Sequence, residues 1–179
     1  MAAWEQVLDD LVQVRGHALV RYATYLTGDR RQAEDVVQEA LVRCFGRTRP
    51  LRDTVAAEAY VRRAILTEFL DGHRRTTRWR SVRHLVARDE QVESPEAAAV
   101  ERASVEAALA TLSPRLRACV VLRFYDDLTV AEIARTLGLA DGTVKRYLSD
   151  AMDALEGVLG PLDADRTTDI ELVNTREAR

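Results

Sequence analysis

The chain has 179 residues, 47% of them hydrophobic and 31% charged, and its 29 acidic and 26 basic side chains give a formal net charge of −3. This length suits one large domain or two small ones, and no apolar run approaches the roughly 20 residues that cross a bilayer. The first 20 residues include Glu5, Asp9 and Asp10 and lack the layout of a signal peptide. Composition therefore predicts a cytoplasmic protein without membrane insertion.

The cysteines and histidines give no sign of a metal site or of catalysis. Cys44 and Cys119 stand far apart without a second pair of ligands, and we expect both to be small buried side chains. His17, His73 and His84 follow no metal-ligand spacing, and the chain has neither a glycine-rich phosphate loop nor a nucleophile motif. The sequence predicts no cofactor, no metal and no enzyme activity.

The first half of the chain reads as helices. Residues 4–26 repeat apolar side chains at helical spacing, with Gly16 as a candidate break and Gly28 at the end. Residues 29–45 carry the clearest apolar stripe in the chain. Its members are Ala33, Val36, Val37, Ala40, Leu41, Cys44 and Phe45. The opposite face carries Glu34, Asp35, Gln38 and Glu39. Composition alone favours a solvated acidic face, and the alternative is a docking surface for a basic partner.

A third helix is predicted from about Val55 to Leu70, where "DGHRR" interrupts or ends it. Residues 72–88 contain six arginines and no acid, and Trp79 lies among them. Such a block can neutralise phosphates while the indole stacks on an exposed base, although a solvated face and a packing tryptophan are the plainer alternative. An acidic stretch follows, and Ser94-Pro95 marks the predicted domain boundary.

Beyond that boundary the sequence predicts further helices. Residues 96–111 have helical character, Ser113 is placed to cap a helix that begins with Pro114, and Thr129 with Glu132 forms a capping box. The residues after Pro161 have no apolar periodicity and are predicted to be disordered.

Residues 128–148, "LTVAEIARTLGLADGTVKRYL", have the spacing of a helix-turn-helix. Gly138 supplies a positive φ at the turn, Leu139 plugs it, and Asp141 is placed to cap the second helix. The side chains predicted to face DNA, away from the apolar stripe, are Thr143, Lys145, Arg146 and Ser149. An ordinary helical hairpin with a solvated basic face is the alternative.

Together these segments resemble the extracytoplasmic-function (ECF) type of bacterial RNA polymerase sigma factor, and "AYVRRAILTEFL" is similar to the actinobacterial SigE-like subgroup. The resemblance lies in three segments, "LVRYATYLTGDRRQAEDVVQEALVRCF", "AYVRRAILTEFLDGHRRTTRW" and "ALATLSPRLRACVVLRFYDDLTVAEIARTLGLADGTVKRYLSDAMDAL". The resemblance implies an all-α fold of two small helical domains joined by a flexible linker. The implied divisions are a sigma-2-like domain over 1–88, a linker over 89–103, a sigma-4-like domain over 104–160 and a tail over 161–179.

The resemblance also implies partners and roles. Asp35, Gln38 and Glu39 would meet the basic coiled coil of the largest RNA polymerase subunit, and the flap of the second-largest subunit would be a further contact. The residues implied at the −10 element are Arg62, Arg63, Thr67, Arg74, Arg75, Arg78 and Trp79. Those implied at the −35 element are Thr143, Lys145, Arg146 and Ser149. Tyr147 and Asp150 stand where the family commonly has arginine, and an anti-sigma factor is a candidate regulatory partner.

The competing hypothesis is a conventional helix-turn-helix regulator that binds DNA without polymerase core. That hypothesis accounts for residues 128–148 and leaves the acidic helix and the arginine block unexplained. Loss of core binding on replacing Asp35 and Glu39 would separate the two.

Overall fold

The computed structural model describes residues 3–46, 54–83 and 100–160, and every regular element in these ranges is an α-helix. The helices are α1 (Ala3–Thr27), α2 (Arg30–Phe45), α3 (Thr54–Arg83), α4 (Val100–Thr111), α5 (Pro114–Phe124), α6 (Val130–Leu137) and α7 (Asp141–Leu159). The chain divides into two compact units, Met1–Ala103 and Ser104–Arg179. The predicted all-α class is confirmed.

The first unit is built from α1, α2 and α3, each of which packs against the other two. Gly28 has a φ of 77°, which lets the chain turn sharply between α1 and α2. Asp29 then caps α2, its carboxylate accepting a hydrogen bond from the Gln32 amide at 2.7 Å. The buried residues of α2 are Ala33, Val37, Ala40, Cys44 and Phe45. The apolar stripe therefore points inward and the acidic face points to solvent.

Ion pairs link the helices of this unit. Arg15 of α1 lies 3.2 Å from Glu58 of α3, and Arg43 of α2 donates a hydrogen bond to Glu68 of α3. Because Glu58 and Glu68 are mostly buried, these pairs are better shielded from solvent than ordinary surface pairs. They connect α1 and α2 to α3.

Two predicted helix breaks are wrong. α1 continues through Gly16, and α3 continues through "DGHRR" to Arg83. A glycine inside a helix costs about 1 kcal/mol relative to alanine and does not remove a backbone hydrogen bond, so neighbouring contacts can compensate. Around Gly72 those contacts are a 3.7 Å approach of Arg74 to Asp71 and an edge-to-face contact of the His73 and Phe69 rings.

In the second unit, α5, α6 and α7 pack against one another. A buried cation joins α4 to α5. Arg117 is only 6% exposed, and its Nη2 donates hydrogen bonds to the carbonyls of Ala110 at 2.6 Å and Leu112 at 3.1 Å. A cationic side chain thus satisfies carbonyls at the end of α4 that have no partner within the helix.

The helix-turn-helix follows its predicted local chemistry at most positions. The capping box of Thr129 and Glu132 opens α6, and Gly138 has a φ of 64° at its end. The prediction that Asp141 caps α7 is wrong, because Ala140 is the N-cap. Ser113 occupies the predicted N-cap of α5 before Pro114, and its side chain makes no capping hydrogen bond. Extended backbone at both positions is sufficient to begin the helix.

Several predictions concern the ends of the domains. Residues 100–103, which the sequence placed in the linker, belong to α4. The rest of the predicted linker, the end of the arginine block and the predicted tail lie outside the described residues, so the predicted domain divisions stay predictions. No helix within the described ranges is both long and apolar enough to span a membrane.

Candidate functional site

The outer face of α2 is acidic and exposed. Asp35, Gln38 and Glu39 all face solvent, as the helical spacing predicts. Their neighbour Glu34 is occupied, since it accepts a hydrogen bond from Arg30 at 3.0 Å. Within the described ranges, no cation pairs with Asp35 or Glu39. We call Asp35, Gln38 and Glu39 the acidic face of α2.

An apolar side chain lies on this same face and was missed by the sequence reasoning. Val42 is 72% exposed, although it sits in a helix whose other branched residues are partly or fully buried. It follows Asp35 by seven residues and Glu39 by three, which are the intervals that bring side chains onto one face of a helix. The spacing itself could have identified it.

The outer face of α3 carries part of the predicted −10 set. Arg63, Thr67 and Arg74 recur at four- and seven-residue intervals and so share one face. Arg63 and Arg74 are exposed, and Thr67 is half-buried with its hydroxyl donating to the Arg63 carbonyl at 2.9 Å. Arg75 is exposed beside Arg74. An aromatic ring missed by the sequence reasoning, Tyr60, is 38% exposed and precedes Arg63 by one helical turn.

Arg62 lies elsewhere on the helix. Its Nη2 donates to Glu58 at 2.7 Å, and its guanidinium carbon lies 5.6 Å from the centroid of the Tyr22 ring on α1. The side chain is 25% exposed. Arg62 therefore packs into the helical bundle, in contrast to its exposed neighbour Arg63. Arg78 and Trp79 lie within α3, and their side chains fall outside the described part of the chain.

The second candidate surface is the start of α7. Of the four residues predicted to face DNA, Arg146 and Ser149 are exposed. Thr143 and Lys145 are half-buried, because they lie on either side of Val144, the first buried residue of the apolar stripe of α7. The expectation that all four point directly away from the apolar stripe is therefore too simple. Thr143 and Lys145 each differ from Val144 by one residue, which rotates the side chain by about 100° around the helix axis. Such a rotation does not bring a side chain to the face opposite Val144.

The charge of α7 changes sign along its length. The guanidinium of Arg146 lies 5.5 Å from the ring centroid of Tyr147, which orients the cation at the surface. One turn further on, the exposed residues become acidic, and they are Asp150, Asp153 and Glu156. The two basic side chains of α7, Lys145 and Arg146, thus both lie in the first half of the helix, which begins with the acidic Asp141.

The two cysteines lie away from both surfaces. Cys44 and Cys119 are buried, and burial raises the pKa of each thiol to about 11. Within the described ranges no group of three or more histidine, cysteine and carboxylate side chains is placed to hold a metal ion. The predicted burial of both cysteines is confirmed.

Comparison with known proteins identifies both halves of the chain. Residues 11–80 match the family model described as Sigma-70 region 2, and residues 102–155 match Sigma-70, region 4. The RNA polymerase sigma-E factor of Streptomyces coelicolor is 35% identical over 162 residues, covering 88% of each chain. The ECF RNA polymerase sigma factor SigL of Mycobacterium tuberculosis is 39% identical over 160 residues, covering 84% of this chain and 88% of SigL.

A solved structure shares the fold. The sigma factor RpoE of Bartonella quintana, determined in complex with the anti-sigma factor NepR, superposes with a TM-score of 0.60 at 21% identity. The match covers 89% of this chain and 98% of RpoE, and at that identity it bears on the fold alone. The two matched regions and the similarity along most of each sigma-E and SigL chain establish that this protein belongs to the ECF family of RNA polymerase sigma factors.

Proposed function

We propose that this sigma factor binds RNA polymerase core through the acidic face of α2 and contacts promoter DNA with α3 and α7. In doing so it would direct initiation at promoters with matching −35 and −10 elements and assist strand opening. The observation that supports the proposal is which carboxylates form ion pairs with arginine and which do not. Glu34, Glu58 and Glu68 are paired with arginines, whereas Asp35 and Glu39 are exposed and, within the described residues, lack such a partner.

Unpaired exposed carboxylates favour docking to a basic partner. Carboxylates already engaged in ion pairs attract a further cation weakly, because their charge is compensated locally. Asp35 and Glu39 have no such ion pair within the described residues, and they lie one helical turn apart. Such charges orient the encounter and raise its rate. The basic coiled coil of the largest polymerase subunit is the partner that the family resemblance suggests, with the flap of the second-largest subunit as a second contact.

For the −10 element, the exposed cations on α3 support a role for Arg63, Arg74 and Arg75 at the DNA backbone. Thr67 donates its hydroxyl proton to its own helix, so its oxygen remains available to accept a hydrogen bond from a base amino group. We assign Arg62 to the bundle, since Glu58 and Tyr22 engage its guanidinium. Arg78 and Trp79 remain proposed contacts on the strength of the resemblance.

For the −35 element, Lys145 and Arg146 in the first half of α7 favour insertion of the N-terminal residues of this helix into the major groove. Arg146 and Ser149 are proposed to reach base edges, with Thr143 and Lys145 contacting from the flanks. Lysine or arginine that forms two hydrogen bonds to guanine is the commonest specific contact of this kind. Asp153 and Glu156, further along the helix, would lie away from the phosphates.

The remaining roles follow from family membership. We infer that the protein acts by binding and not as an enzyme, because its relatives are transcription initiation factors. We also propose that it works in the cytoplasm, where polymerase and chromosome are found. An anti-sigma factor is a proposed partner, since RpoE of the shared fold forms such a complex.

The test is single-round transcription with purified core polymerase on a library of upstream sequences. Wild-type protein should support initiation and report both promoter elements, while Asp35→Ala/Glu39→Ala should weaken core binding by at least about tenfold, or about 1.4 kcal/mol. The matched control is Asp9→Ala/Asp10→Ala, which removes two exposed acids from α1 of the same unit. Duplex binding without core binding or initiation would instead indicate a conventional regulator.

A further inference from the structure

The acidic face of α2 has an apolar centre. Val42 is 72% exposed. When the helix is viewed along its axis, the side chain of Val42 points between those of Gln38 and Glu39. The buried stripe of α2 is complete without it, since Ala33, Val37, Ala40, Cys44 and Phe45 already form the contact with α1 and α3. Packing within the unit therefore gives no reason for a branched apolar side chain at this position.

Exposure by itself is not the argument, because single apolar side chains are common on protein surfaces. This unit contains two comparable cases, Val14 on α1 at 73% exposure and Val55 on α3 at 72%. Val42 differs from both in its surroundings. It shares a face with Asp35 and Glu39, the two carboxylates of α2 that lack an arginine partner within the described ranges.

We propose that Val42 is the apolar anchor of the surface that docks on RNA polymerase core. The inference rests on the proposed function of the acidic face and specifies the chemistry of its partner. A basic helical element that fits this surface must present an aliphatic side chain between its cations, so that Val42 is covered when the charges meet. The partner is thus amphipathic and not merely basic.

Charged and apolar residues of an interface affect different rates of binding. Exposed charges at the rim of an interface steer association and are screened by salt. Residence time depends more on a small central group from which water is excluded. On α2, Asp35 and Glu39 serve the first role and Val42 serves the second.

The experiment measures association and dissociation rates of the full-length chain with bacterial core polymerase at about 0.1 M and 0.5 M salt. Val42→Ser should weaken binding about tenfold, mainly through faster dissociation, and by a similar factor at both salt concentrations. Val14→Ser and Val55→Ser are matched controls of equal exposure, and each should bind within twofold of wild type. Circular dichroism melts check that all variants are folded.

Asp35→Ala/Glu39→Ala is measured beside them, and its effect should fall mainly on association and shrink at high salt. If this variant binds weakly while Val42→Ser matches Val55→Ser, the anchor is refuted and the docking face stands. If both variants bind like wild type, the docking face itself is refuted. If Val42→Ser alone binds weakly, the anchor is supported and the role of the carboxylates is refuted.

Discussion

Arg117 offers the sharpest test of how the second unit is held together. Arg117→Met removes a guanidinium that donates to one buried and one partly buried carbonyl at the end of α4. Charged hydrogen bonds contribute about 1.5–3 kcal/mol each, and a carbonyl left buried without a donor costs about 1–3 kcal/mol. Burial lowers the pKa of Arg117, because the buried cation is desolvated. Replacing it with methionine removes this desolvation penalty and so offsets part of the loss in stability. We expect a net loss of about 2 kcal/mol in the free energy of unfolding of this unit.

Hydrogen exchange and thermal melting measure the loss. A change of 2 kcal/mol corresponds to about thirtyfold faster exchange of globally protected amides in α5 and to about 8–16 °C in the melting temperature of a unit this size. Amides of α1–α3 should not change, which provides an internal control. Arg115→Met is the matched variant, because Arg115 is exposed on the same helix. Equal exchange in Arg117→Met and Arg115→Met would show that the hydrogen bonds of Arg117 do not stabilise this unit.

Three further outcomes are expected. The hydrogen bonds from Thr129 lower the pKa of Glu132 from 4.5. The stability due to the capping box is therefore present above about pH 4.5 and is lost as the pH falls through the lower pKa of the folded state. Glu132→Gln should melt at a lower temperature than wild type at neutral pH and should approach wild type in acid, and a difference that does not change with pH would contradict this. A thiol reagent at about pH 8 should leave Cys44 and Cys119 unmodified until denaturant is added, because both are buried with pKa values of about 11; rapid labelling of the native chain would contradict this. Asp150→Asn should raise affinity for promoter duplex about twofold by removing a negative charge near phosphate, with binding measured by fluorescence anisotropy; an unchanged affinity would place Asp150 away from the backbone.

Local signals along the chain were reliable for three features, which are a buried stripe, a capping box and the glycine of a turn. The inward stripe of α2, the capping box of Thr129 and Glu132 and the positive φ at Gly138 were all predicted. Each is set by helical periodicity or by a backbone conformation that one residue type favours. The break at "DGHRR" was mispredicted because a local glycine penalty was weighed without the contacts that surround it in α3.

The all-α class, the exposure of the acidic face of α2 and the location of the helix-turn-helix all follow from the amino-acid sequence, because periodicity and caps are local properties. Which charged side chains remain available depends on how the helices pack. Arg62 and Arg63 are adjacent and indistinguishable by composition, yet Arg62 packs over Tyr22 while Arg63 is exposed. Arg117 is buried, although arginine is mostly exposed in proteins, because the carbonyls that it satisfies lie at the end of a neighbouring helix. Ion pairs such as Arg15 with Glu58 depend on residues far apart in sequence, which meet only when the helices pack.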